Sequence, residues 1–306
     1  MIPFHGLSAF PITPADASGH VDVNALQGLL TRLVDAKVHF VGLLGSTGSY
    51  PYLSRTECRR TIEAAVAHIA GRVPVLAGIG ALRTDEAVSL AQDARVAGAA
   101  VGLLAPVSYT PLLDDEVFTH FETVAREGGL PLVVYNNPGT THFSFTTELL
   151  ARLSRVPGIV AVKNPAPAAE AVPAHLQALR ATTAPGFSLG YSVDAHAAEA
   201  LLAGGAAWYS VAGGLFPQPC MAIVAAAQAG DAAEARRLNA GLVPLWELFR
   251  EHTSLRVMYA AANLLGLCRA VPPRPILPLP EAARCRVGEV LGQLQLGPMD
   301  KVFHLL

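Results

Sequence analysis

Short apolar runs recur along the chain at 7–10, 38–44, 73–79, 99–105, 131–135, 159–163, 187–191 and 206–211. The run Ile159-Val160-Ala161-Val162 has no polar partner at alternate positions, the mark of a strand buried on both faces. Between most of these runs lie stretches of helical periodicity rich in Ala, Leu and Val. They open on start signals such as Ser54-Arg55-Thr56-Glu57, Thr84-Asp85-Glu86 and Thr146-Thr147-Glu148. Strand alternating with helix requires parallel pairing, because a parallel neighbour is reached only through a long crossover. Eight such units predict a closed (β/α)8 (TIM) barrel over residues 1–216, with an open doubly wound sheet as the alternative. Residues 217–306 read as a C-terminal helical extension packed on the barrel. It holds an Ala-rich helical stretch at 217–267 broken at Gly230 and Gly241, a Pro-rich connector at 272–280 and a last helix over 281–294.

The polar residues at the ends of these runs form a set. Gly45-Ser46-Thr47-Gly48 follows the second run, Tyr109 the fourth and Tyr135-Asn136-Asn137-Pro138 the fifth. Lys163 ends the sixth, Gly190-Tyr191 the seventh, and Tyr209 and Ser210 the eighth. In a barrel of this kind all of them meet at one mouth, where the strand C-termini build active sites. Gly, Ser, Asn and Pro also make turns wherever strands end, and a lysine there can cap its strand and reach for water. Turn formation does not account for Lys163 beside Tyr135. The chain has three lysines against nineteen arginines. A solitary amine at the end of a buried strand is a candidate nucleophile, because desolvation disfavours the ammonium form and a neutral amine attacks a carbonyl to give a Schiff base.

The 306 residues are 52% hydrophobic with a formal net charge of −2, enough for a large core and without the basic stripe that nucleic acid requires. A small, uncharged or modestly anionic substrate fits better. Cys58, Cys220, Cys268 and Cys285 are scattered, no His-Glu-x-x-His occurs, and Gly78-Ile79-Gly80 lacks the third glycine of a dinucleotide fingerprint. Disulfide, metal and NAD readings therefore lose support. The opening Met1-Ile2-Pro3-Phe4-His5-Gly6 has neither the charged start nor the apolar core of a secretory signal, and no membrane span is legible, so a cytoplasmic protein is expected.

Gly45-Ser46-Thr47-Gly48, Tyr135-Asn136-x-Pro138 and Val162-Lys163, taken in order and spacing, resemble the dihydrodipicolinate synthase and N-acetylneuraminate lyase family of pyruvate-dependent Schiff-base aldolases. The resemblance extends to Ala9-Phe10-Pro11-Ile12-Thr13-Pro14, to Val73-Pro74-Val75-Leu76-Ala77-Gly78 and to Ser210-Val211-Ala212, so it spans nearly the whole chain. It implies a (β/α)8 barrel with a helical extension, usually a homotetramer, with no metal or organic cofactor. It also implies that Lys163 forms the Schiff base and that Tyr135 shuttles protons. A phenol is a weak base alone, so a relay through a hydroxyl such as Thr47 is expected. Backbone amides around Ser46 and Thr47, with Gly45 and Gly48 beside them, are expected to hold the substrate carboxylate.

Departures from the family pattern bear on the second substrate. Two positions after Pro138, where the synthases carry an arginine that binds the aldehyde's carboxylate, this chain has Thr140. A threonine cannot form the bidentate clamp. The relay tyrosine contributed by a neighbouring subunit aligns with Ser108, with Tyr109 one residue later, and the usual glutamate after the glycine-flanked motif is Ser49. Asn137 and His142 flank the altered loop and are expected to help choose the acceptor. Three functions compete: a lyase or aldolase joining or cleaving a 2-oxo acid and an aldehyde, with dihydrodipicolinate synthase itself among its forms; a sugar-acid dehydratase or decarboxylase using the same lysine; and a non-catalytic ligand-binding barrel.

Overall fold

The computed structural model describes residues 4–296. Residues 297–306 of the expected extension, and the first three residues of the stretch read for a leader, lie outside the described residues. Eight strands form the sheet: β1 (Gly6–Ala9), β2 (Phe40–Leu43), β3 (Val75–Gly78), β4 (Val101–Leu104), β5 (Leu132–Tyr135), β6 (Ile159–Pro165), β7 (Ser188–Ser192) and β8 (Ala207–Ser210). They close in sequence order, and every neighbouring pair is parallel, β8 with β1 included. A closed ring excludes the open doubly wound sheet.

The helices are α1 (Val23–Asp35), α2 (Arg55–Ile69), α3 (Thr84–Val96), α4 (Asp114–Gly128), α5 (Pro138–Thr141), α6 (Thr147–Leu153), α7 (Val172–Thr182), α8 (Ala197–Leu202) and α9 (Pro217–Gln228). They are followed by α10 (Ala232–Gly241), α11 (Val243–His252), α12 (Ser254–Leu264) and α13 (Glu281–Gln293). Ser54 and Thr146 cap α2 and α6 as expected, each side chain accepting from an amide three residues on. Thr84 instead becomes the first residue of α3, because its hydroxyl is taken by His120 Nδ1 of α4 at 2.9 Å. Helix α9 packs on β1 and α8 as the eighth helix of the barrel layer. It packs on α10 as well, so the barrel layer and the extension are continuous across the boundary expected after residue 216.

Strand side chains alternate between two cores. Leu7, Ala9, Val41, Leu43, Leu132 and Val134 pack outward with the helices, while Phe10, Phe40, Leu76, Leu103, Val133, Tyr135 and Tyr209 fill the barrel. Strand β6 breaks the alternation. Leu132 pairs with Ile159, but the next residue, Val133, pairs with Ala161, so Val160 is one residue in excess. Ile159 belongs to the outer core, and unbroken alternation from it would send Lys163 outward too. The extra residue reverses the phase, leaving Val162 outward and bringing Ala161 and Lys163 inside.

Candidate active site

Lys163 and Tyr135 are direct neighbours in the β5–β6 register. One residue on, Asn136 Nδ2 donates to Asn164 Oδ1 at 3.0 Å and ties the two strand ends together. Lys163 is 4% exposed. Its Nζ sits 4.0 Å from the ring centre of Phe10, 4.4 Å from that of Tyr135 and 5.8 Å from that of Tyr209. No ion pair among the described residues includes it. Three aromatic rings shield the amine, and its remaining side opens on a cavity of about 890 Å³ at the C-terminal mouth of the barrel. The same wall holds Asp194, a residue that sequence reasoning missed. Its carboxylate accepts from Trp208 Nε1 at 2.8 Å and from the Ala212 amide at 2.9 Å. Burial pushes its pKa up, against those two donors and the positive charge of Lys163.

The Tyr135 hydroxyl lies 3.1 Å from Ser46 Oγ and accepts from Asn137 Nδ2 at 2.8 Å. A phenol has one proton, and with Asn137 donating to its oxygen that proton goes to Ser46 or to a bound substrate. The hydroxyl that Tyr135 meets is thus that of Ser46, and the relay expected through Thr47 is corrected accordingly; Thr47 is buried and lines the same cavity. Neither the Ser46 nor the Thr47 amide is spent on a backbone carbonyl among the described residues. Gly45 and Gly48 stand behind this wall, where a Cβ would run into Phe10 and into the loop's own Leu44. Ser49 Oγ lies 3.3 Å from the Tyr259 hydroxyl of α12, so the extension braces the loop from outside. Tyr50, also missed, is a half-buried phenol beside this loop whose pKa is raised by desolvation and then by neighbouring Tyr135 and Cys58.

Other expected residues fall elsewhere. Ser210 has the outward phase of β8; its Oγ accepts from the Gly213 amide at 2.8 Å and meets Cys220 Sγ of α9 at 3.9 Å, so it stabilises the turn after the strand and not a substrate. Gly190 faces inward, but a Cβ there would lie 2.4 Å from the Tyr209 ring, so its part is to admit that ring. Tyr209 lines the cavity with its ring, and its hydroxyl is buried with no partner. Tyr109 is 97% exposed, outside the cavity of its own chain, so within one chain it does not rebuild the relay. His142 has a left-handed backbone at the end of α5, is exposed and does not line the cavity, so it is not placed to choose the acceptor. Asn137 and Thr140 do line it, with the Thr140 hydroxyl turned back to the Asn137 carbonyl at 3.3 Å.

The far wall comes from α11 and α12 of the extension, with Trp246, Glu247, Arg250, Thr253 and Arg256. Sequence periodicity marked these helices but gave no sign of what they face. Among the described residues no cluster of three or more His, Cys, Asp or Glu is placed to hold a metal ion, and no helix is long and apolar enough to cross a membrane.

The family model described as the dihydrodipicolinate synthetase family matches residues 3–294. A 4-hydroxy-tetrahydrodipicolinate synthase of Alcanivorax borkumensis is 36% identical over 286 residues, 93% of this chain and 96% of that protein. A crystal structure of a dihydrodipicolinate synthase from Agrobacterium tumefaciens superposes with a TM-score of 0.93 at 55% identity, covering 95% of this chain and 98% of the other. One from Aquifex aeolicus gives 0.89 at 28% identity, over 97% and 99%.

Proposed function

The chain belongs to the dihydrodipicolinate synthetase family and is a Schiff-base-forming lyase of it, and from that premise we propose that Lys163 joins pyruvate, or a closely related 2-oxo acid, to an aldehyde, or releases the pair by cleavage. The observation that carries the assignment is the buried Lys163 amine opening on a cavity beside a phenol that is hydrogen-bonded to Ser46 and Asn137. The neutral amine adds to the ketone carbon, and the carbinolamine oxygen takes a proton and leaves as water, giving an iminium. The methyl carbon beside it loses a proton and the electron pair moves into an enamine. That carbon attacks the aldehyde, whose oxygen takes up a proton, and water then hydrolyses the iminium to free Lys163. Tyr135 and Ser46 carry the protons in these steps. The unspent amides of Ser46 and Thr47 hold the 2-oxo acid's carboxylate. The covalent intermediate is itself the electron sink, so the proposed chemistry calls for no metal or organic cofactor.

Relatives named 4-hydroxy-tetrahydrodipicolinate synthase favour the synthetic direction, with an acceptor aldehyde that bears a carboxylate. That specific activity is the second reading, and Thr140 is the feature that sets this site apart from it. Dehydration or decarboxylation through the same lysine predicts a different product from the same adduct. We further propose a cytoplasmic homotetramer, supported by the family resemblance and by Tyr109 and Leu113, large apolar side chains left exposed around the loop after β4; sedimentation as a monomer contradicts the assembly.

Enamine formation has its own readout. In D2O, with pyruvate alone, the enzyme exchanges the methyl protons of pyruvate, followed by proton NMR. Lys163→Ala abolishes the exchange, and Tyr135→Phe slows it by about 10²- to 10⁴-fold. Undiminished exchange in Lys163→Ala contradicts the proposal.

A further inference from the structure

We propose that Arg250 and Arg256, on the C-terminal extension, bind a carboxylate at the far end of the second substrate and so do from α11 and α12 what Thr140 no longer does from the barrel. The inference rests on the Schiff-base reading and adds to it the side chains that receive the acceptor's far end. Arg250, exposed, and Arg256, half-buried, line the same cavity as Lys163 and Tyr135. Neither is in an ion pair among the described residues, although most of the chain's other cavity-remote arginines on helices are. Glu247, the one acidic residue that α11 and α12 turn to this cavity, is likewise unpaired there. On the wall formed by α11 and α12, two guanidinium side chains stand against the single carboxylate of Glu247, so this wall is net positive and suits an anionic group on the acceptor.

The local backbone is arranged for the same end. Arg256 is half-buried, and its Nη1 donates to Thr253 Oγ1 at 3.1 Å. Helix α12 begins without a side-chain cap, and its first two residues, Ser254 and Leu255, line the cavity. Thr253 holds φ +67° and ψ 141°, and Val193 across the cavity holds φ +69°. Both are β-branched residues at positive φ, where the side chain meets the backbone. At the other side, the Thr140 hydroxyl is already engaged by the Asn137 carbonyl, so the barrel itself offers no cation to the acceptor there.

The test compares acceptors of matched length with pyruvate as donor: succinate semialdehyde, which ends in a carboxylate, butanal, which does not, and glyceraldehyde 3-phosphate. The expected result is that wild-type enzyme prefers succinate semialdehyde, and that Arg250→Gln and Arg256→Gln each lower the ratio of its kcat/KM to that of butanal about tenfold or more. Arg256→Lys recovers part of the ratio, which a fold defect would not allow. An unchanged ratio in both Gln variants overturns the proposal, as does a loss confined to the phosphorylated aldehyde. A wild-type protein that traps pyruvate under borohydride yet shows no carboxylate preference contradicts this inference alone; one that traps no 2-oxo acid overturns the Schiff-base reading and the inference with it.

Discussion

At the scale of single residues, the proposed chemistry turns on one proton. Tyr135 accepts from Asn137, so its own hydrogen is free for Ser46 or for substrate, and Ser46 is the next stop for any proton that leaves the phenol. Ser46→Ala therefore lowers kcat by about 10²-fold, the loss of one member of a general acid–base relay. Thr47→Val, which leaves the Tyr135 contact in place, costs less. Steady-state kinetics on the two variants check this, and a larger loss for Thr47→Val contradicts it. Lys163 and Tyr135 were legible because their chemistry has no other reason to converge at strand ends. The choice between Ser46 and Thr47 was not: adjacent residues on a loop point in directions that only the backbone decides. Ser210 failed for a related reason, since its phase on β8 turns it to α9 while Tyr209 takes the inward place.

At the scale of elements, the eight strands were readable because each is a run of buried residues bounded by turn formers, and the parallel order follows from the helices between them. The extra residue at Val160 was not readable. It leaves no mark on an apolar run, yet it decides which way Lys163 faces. The junction of α3 and α4 shows a second effect that start signals miss. His120 is half-buried and hydrogen-bonded to Thr84, and desolvation lowers its pKa from 6.5 to about 4. A folded-state pKa below the unfolded one means that the neutral ring stabilises the fold fully above about pH 6.5, and that this contribution is lost as the pH falls towards 4. The loss is up to about 3 kcal/mol. Urea unfolding across that window is expected to show a steeper fall for the wild type than for His120→Gln; parallel curves contradict the assignment.

At the scale of the whole molecule, the barrel and its extension share one site. The sequence pattern separates 1–216 from 217–306; α9 packs on both sides of that division, and α11 and α12 line the cavity at the barrel mouth. Arg250 and Arg256 escaped sequence reasoning because a helical period shows which residues share a face but not what that face covers. Tyr259 of α12 also reaches Ser49, so the loop after β2 and the extension are mechanically joined. In the proposed mechanism the strand ends therefore carry the covalent chemistry, while α11 and α12 receive the far end of the acceptor.

The most direct test of the central claim is mass spectrometry of the protein reduced with borohydride in the presence of pyruvate, followed by peptide mapping. The account predicts one adduct per chain, equal in mass to pyruvic acid less one oxygen atom, on the peptide that contains Lys163, and none in Lys163→Ala. An adduct on Lys37, or none on the wild type, contradicts it.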